Sequence, residues 1–222
     1  MSRALLIVAK RPVAGQTKTR LCPPLAPDEA AHLYECFLRD TLDVARAAAV
    51  AAGVVRYIAY LPRDESAYFH RLAPDFALAP QIGASLGERL DHALTHCLHD
   101  GFERAVIMDS DSPTLPTAYV AQAFDALDDA DVTLGPCEDG GYYLIGLKRP
   151  QPRLLREVRM STPNVLRDTL SLADQAGLRV SLLPMWYDVD TVQELYRLRD
   201  ELRAEADGLS PHTREFLRRE TA

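Results

Sequence analysis

Cysteine is scarce and scattered in this chain. Its four cysteines, Cys22, Cys36, Cys97 and Cys137, never form a C-x-x-C pair, which excludes the usual structural zinc and dithiol redox motifs and predicts free thiols in a reducing cytoplasm. Long apolar runs are missing too, so we expect no membrane insertion. The first apolar run, "ALLIVA", meets Lys10 and Arg11 where a cleavable leader needs small residues, so no signal peptide is expected either. Positive charge is in deficit: 25 Lys and Arg against 32 Asp and Glu leave a net charge of −7, which argues against nucleic acid or an anionic membrane as partner unless a local patch supplies cations. No histidine suggests catalysis, because His32, His92, His96 and His99 fall on predicted helices among polar neighbours, as on a solvated face. Repeats, low-complexity tracts and linkers are absent, and the length of 222 residues fits one domain over 1–222.

What is present is an alternation of short apolar runs with longer segments of helical period, the pattern of crossover units on a largely parallel sheet. The fold class is α/β. "ALLIVA", "GVVRYIAYL", "RAVIM" and "LRVSLL" read as strands. "DEAAHLYECFLRDTLDVARAAAVA", with Asp28 near its cap, and "ASLGERLDHALTHCLHDG", stopped by Gly101, read as helices. "TLPTAYVAQAFDALDDA" reads as a helix that Thr114 caps, with Pro116 in its first turn. "STPNVLRDTLSLADQAG" and "TVQELYRLRDELRAEAD" are further helices, the last ending at Asp207. "DVTLGP" and "GYYLIGLK", joined by the turn-rich "CEDG", predict an antiparallel edge added to the parallel core.

Three clusters carry chemistry. The loop "AKRPVAGQTKTRL" packs four cations around Gly15 with no acid, at the carboxyl end of a strand, where open α/β sheets bind ligands. It is not a Walker loop, which needs a second glycine. Lys18 and Arg20 flank Thr19 as a point charge and a planar fork would flank phosphate oxygens; a solvated basic turn has the same composition. In "MDSDSPTLP", Asp109 and Asp111 would face one side of a pure strand, and carboxylates so close need a counter-charge, which a hard divalent ion such as Mg2+ or Mn2+ supplies. The competing reading is an Asx turn or a helix cap. In "YDVDTVQEL", Asp188 and Asp190 offer a second side to a metal site, while Asp190 also reads as an N-cap with Gln193 completing a capping box. "GPCEDGGYYLIG" adds paired glycines beside an acid and aromatics, suited to close backbone approach or to an ordinary hairpin.

Together, "AKRPVAGQTKTRL", "QIGASLGERL", "DSDSPTLP", "LGPCEDGGYYLIGLKRP", "STPNVLRDTL" and "DVDT" resemble, in order and over nearly the whole chain, a bacterial family of GT-A-fold, nucleotide-diphospho-sugar transferase-like proteins. Some members are assigned to arsenosugar biosynthesis as glycosyltransferases. The resemblance extends more weakly to 2-phospho-lactate and molybdenum-cofactor guanylyltransferases. It implies a single-domain, Rossmann-like, three-layer GT-A sandwich that uses a nucleotide or sugar-nucleotide and a small-molecule acceptor. Lys18 and Arg20 would hold phosphates, with Ala9, Lys10 and Gly15 in the same loop beside the nucleotide and Gln81, Gly83 and Arg89 near the nucleoside. Asp111 and Asp190 would hold Mg2+ or Mn2+, while Asp139, Gly140, Gly141 and Tyr142 would face the sugar or acceptor. Two residues depart from the family pattern: Asp109 stands where glycine is usual, which would strengthen the metal site, and Met160 stands where tryptophan commonly precedes "ST". Both glycosyl transfer and nucleotidyl transfer need this constellation, and a non-catalytic binding module would share it; the full-length resemblance favours glycosyl transfer.

Overall fold

The computed structural model of the chain describes residues 2–204 and 208–219. In chain order the strands and helices are β1 (Arg3–Lys10), α1 (Pro27–Ala52), β2 (Val54–Leu61), α2 (Ser66–Leu72), β3 (Ala77–Pro80), α3 (Leu86–His99), β4 (Arg104–Met108) and α4 (Thr117–Ala126). They continue with β5 (Val132–Pro136), β6 (Tyr142–Leu147), α5 (Pro152–Arg156), α6 (Val165–Gln175), β7 (Val180–Leu182), α7 (Val192–Ala204) and α8 (Pro211–Arg219). The strands make one sheet in the order β3-β2-β1-β4-β6-β5-β7. Neighbours pair in parallel except around β6, which is antiparallel to both β4 and β5. The expected antiparallel addition is this β5–β6 hairpin, set beside the β3-β2-β1-β4 core with β7 beyond it.

β1 shows why its apolar run is continuous: it is covered on both faces. Leu5 and Ile7 pack with Leu38 and Leu42 of α1, Phe69 of α2 and Phe124 of α4. Ala4 and Leu6 pack on the other face with Leu90 and Leu94 of α3 and Leu154 of α5, giving helix, sheet and helix layers. A further cluster joins Leu21, Leu33 and Phe37 to Leu195 and Leu198 of α7 and to Phe216 of α8, so the last two helices brace the loop that follows β1. Asp40 of α1 accepts the N–H groups of His212 (3.0 Å) and Thr213 (2.9 Å), capping α8 across 172 to 173 residues of sequence.

Several caps differ from the sequence reading. Glu29, not Asp28, reaches back to the Ala26 N–H at 2.7 Å at the start of α1. Thr114 does not cap α4: it is buried with its hydroxyl 3.5 Å from that of Tyr187, and Pro116 holds the N-cap position. Helices α2, α5 and α8 and strand β3 are not foreshadowed by periodicity. The expected end of α7 at Asp207 lies outside the described residues.

Strand direction places the site. β1 and β4 end at one edge of the sheet, and because β6 is reversed it is the beginning of β6 that lies there, with Leu144 opposite Met108. After β7 the chain returns along the same edge, where the Val189 N–H bonds the Asp111 carbonyl at 2.9 Å and the Trp186 N–H bonds that of Pro136 at 3.0 Å. The "DSD", "EDGG" and "DVDT" segments are thereby brought together.

Candidate active site

The loop after β1 is held open by its own backbone. Gly15, at φ 72°, makes a turn in which the Gln16 and Thr17 N–H groups bond the Val13 carbonyl at 3.0 and 3.1 Å, and Thr17 Oγ1 accepts the Val13 N–H at 3.0 Å. Beneath it, Tyr34 of α1 accepts the Lys10 N–H at 3.2 Å and meets Ser110 Oγ at 2.8 Å. Ser110 spends its one proton on the Val8 carbonyl, so Tyr34 is the donor between the two hydroxyls. This contact ties the first loop to the "DSD" turn; neither residue stands out in the sequence.

The four loop cations have separate fates. Arg11 pairs with Glu65 and lies over the Tyr68 ring, 5.4 Å from its centroid, outside the cavity. Lys18 is buried, with a side chain 6% exposed, and its Nζ meets Asp111 Oδ1 at 2.5 Å, Asp190 Oδ1 at 2.8 Å and the Val189 carbonyl at 2.9 Å. Burial opposes its charge, but the two carboxylates outweigh that and hold the Lys18 pKa above its ordinary value. Lys10 and Arg20, which lies 3.5 Å from Asp190, are exposed and face the cavity.

The aspartates divide into two sets. β4 ends at Met108, so "DSD" is a turn and not strand, with the Asp111 N–H bonded to Asp109 Oδ1 at 3.2 Å. Asp109 and Asp111 accordingly do not share a partner as a pure strand would have them do. Asp111 joins Lys18 and Asp190. Burial pushes Asp190 upward, yet Lys18 and then Arg20 pull it below the usual carboxylate value. Asp109 instead joins Asp188 and Cys137, with one donor atom from each lying within 4.8 Å of the others. Asp188 accepts from Cys137 Sγ and Ser112 Oγ, both at 2.9 Å. Burial first, then the neighbouring aspartates, push Asp109 well up; burial and Asp111 push Asp188 up to about 6. Burial and the same acids raise the Cys137 thiol. At the start of α7 it is Glu194, and not Gln193, that reaches back to accept the Asp190 and Thr191 N–H groups at 3.0 and 2.5 Å. Thr191, not Asp190, directly precedes the helix, and the Asp190 carboxylate is held by Lys18 instead.

These groups line one cavity of about 680 Å³. Ala9, Lys10, Lys18, Arg20, Asp109, Asp111, Asp139, Gly141, Tyr142 and Asp190 all reach its wall. Gly15, Gln81, Gly83, Arg89 and Gly140 lie outside that wall. Gln81 is buried and donates to the carbonyls of Ala9 (3.2 Å) and Ala59 (2.8 Å), while Arg89 donates to its Oε1 at 3.1 Å, so the pair braces the end of β1 from behind. Gly140 is a buttress: at φ 89°, an added Cβ would lie 2.1 Å from the Pro163 carbonyl oxygen. Asp139 closes its own turn by accepting the Gly141 N–H at 2.8 Å. Leu86, Leu90, Ile107, Tyr142, Ile145 and Met160 give the same cavity apolar wall as well.

Over its whole length the chain superimposes on 96% of a crystal structure from Desulfovibrio desulfuricans G20, proposed to be a nucleotide-diphospho-sugar transferase, with TM-score 0.91 and 35% identity. A manganese complex from Mycobacterium tuberculosis H37Rv shares the fold at 20% identity, with TM-score 0.51 over 89% of this chain and 98% of that one. The 2-phospho-L-lactate guanylyltransferase of Methanothermobacter thermautotrophicus is 30% identical over 210 residues, 91% of this chain and 84% of the enzyme. Residues 41–162 match a family described as uncharacterized proteins conserved in bacteria, DUF2064, and the chain belongs to that family.

Proposed function

We propose that this protein is a metal-dependent transferase acting on a nucleotide-activated donor, and that the reaction is glycosyl transfer from a nucleotide-diphospho-sugar to a small acceptor. The observation that carries this reading is the charge of the cavity: five aspartates and three cations share one wall. A diphosphate entering alone would meet net negative charge, so it needs a divalent ion to accompany it. The donor groups fit Mg2+ or Mn2+. Asp111 and Asp190 already converge on a cationic centre at Lys18 Nζ, and carboxylate oxygens are the ligands such hard ions prefer. When bound, the ion would neutralise charge on the phosphate oxygens.

The protein's own residues supply the rest. Arg20 presents a planar fork and Lys10 a point charge to the developing negative charge as the sugar–phosphate bond breaks and the nucleoside diphosphate leaves. Arg11 faces away from the cavity, so the cations on its wall are Lys10, Lys18 and Arg20. Leu86, Leu90, Ile107, Tyr142 and Met160 would hold the body of the acceptor, so we infer a neutral hydroxyl-bearing acceptor with an apolar part. Free thiols at all four cysteines support placement in the cytoplasm, and among the described residues no helix is long and apolar enough to cross a membrane.

The guanylyltransferase relative favours a second reading, nucleotidyl transfer, in which an acceptor oxygen attacks the α-phosphorus and pyrophosphate leaves. Leaving groups separate the two. Incubation with Mn2+, hydroxyl acceptors and either sugar nucleotides or nucleoside triphosphates should release nucleoside diphosphate from the former. Pyrophosphate released from the latter alone would replace glycosyl transfer by nucleotidyl transfer.

A further inference from the structure

Lys18 is in an unusual position for a phosphate-binding lysine. An ammonium has three protons, and the three acceptors around this one, Asp111 Oδ1, Asp190 Oδ1 and the Val189 carbonyl, leave none for a ligand. It is not an exposed charge that swings freely. The Lys18 backbone is held in the left-handed region at φ 49°, and the side chain passes the rings of Phe37 and Tyr34, with Nζ 5.7 and 6.0 Å from their centroids. Two carboxylates from segments far apart in the chain are thus gathered, each within hydrogen-bonding distance, around a single cationic point on the cavity wall.

We propose that Lys18 is the resident counter-ion of the metal position: its ammonium holds Asp111 and Asp190 as a ready pair, and a divalent ion arriving with nucleotide displaces it from between them. This rests on the cavity being a metal-dependent nucleotide site. Lys18 balances only one of the two carboxylates and leaves the other to Arg20, 3.5 Å from Asp190, whereas a divalent ion neutralises both. The two carboxylate oxygens already lie 2.5 and 2.8 Å from one atom, not far beyond the roughly 2.0–2.1 Å at which Mg2+ takes oxygen ligands. The displaced ammonium, still on the wall of the same cavity, then has protons for the phosphate oxygens that accompany the ion. Metal and nucleotide must enter together, because the ion alone has to compete with Lys18 and brings no acceptor for the ammonium it expels.

The test uses the full chain and Mn2+ without nucleotide, followed by calorimetry and by the paramagnetic signal of free Mn2+. Lys18→Met, which keeps the side chain's length and removes its charge, should bind Mn2+ at least tenfold more tightly than the parent and gain thermal stability on adding it. Adding Asp190→Asn to Lys18→Met should abolish that gain. If Lys18→Met is unfolded without metal, recovery of its helical circular dichroism with Mn2+ supports the proposal, and no recovery at saturating Mn2+ overturns it. Equal or weaker Mn2+ binding by folded Lys18→Met overturns it as well. So would parent binding that ignores Lys18→Met but is lost in Asp188→Asn, which would move the ion to Asp109 and Asp188. Because no nucleotide is present, failure of the transferase reading and failure of this proposal are observed separately.

Discussion

Lys18 and Asp190, 172 residues apart in sequence, meet at 2.8 Å, and through this contact the loop after β1 is fastened to the segment before α7. The two cations of "KTR" therefore have unequal roles. Removing Lys18 leaves Asp111 and Asp190 without their shared partner, and since those side chains are 36% and 44% exposed the cost is below that of a fully buried pair, about 1–3 kcal/mol for Lys18→Ala. Arg20→Ala removes a side chain that is 68% exposed, so stability should change by less than about 0.5 kcal/mol. Its effect should fall on the ligand, weakening nucleoside diphosphate binding by roughly 1–3 kcal/mol. Thermal unfolding and calorimetry on the two variants separate these outcomes.

That asymmetry marks the limit of what the sequence discloses. The cationic loop, "DSD" and "DVDT" are recognisable because each follows an apolar run and carries charge where an open sheet binds ligands. Which cation meets which acid is not, because the pairing is made across the sheet by the order of the strands. Arg11 looks equivalent to Arg20 until Glu65, on a turn that periodicity does not mark, takes it out of the cavity. The strands were legible where they are buried on both faces and read as continuous apolar runs, as in β1 and β4. β3 is not legible because it is four residues long with no buried position, so no hydrophobic pattern marks it. Gln81 illustrates the same limit: the family resemblance implies a place near the nucleoside, whereas its amide satisfies two strand carbonyls.

The raised carboxylates make a prediction about pH. Asp188 rises from 3.8 to about 6 on folding, so its favourable contribution is complete below about 3.8 and is lost as pH rises through about 6. Asp188→Asn keeps an oxygen to accept from Ser112 but cannot ionise. In the absence of metal it should unfold at a higher temperature than the parent at pH 7–8, by on the order of 2–4 °C, with the difference shrinking toward pH 4. A difference that is constant over that range would show that charge at Asp188 is not its source.

Gly140 offers a test of the cavity wall. Gly140→Ala places a methyl against the Pro163 carbonyl and strains a backbone at φ 89°. A loss of about 1–3 kcal/mol is expected in chemical denaturation. Because the Leu166 N–H bonds the Gly140 carbonyl at 2.9 Å, the loop carrying Met160 should shift as well, and acceptor-dependent turnover should fall more than nucleotide affinity.

Metal-coupled nucleotide binding is the claim on which the account depends most. Calorimetric titration of a nucleoside diphosphate panel into the protein, with Mn2+ and then with chelator in its place, tests it directly. Saturable binding that requires Mn2+, and that Asp111→Asn abolishes without loss of the folded state, is the predicted result. Equal affinity in chelator, or metal-dependent binding that Asp111→Asn leaves intact, would contradict it.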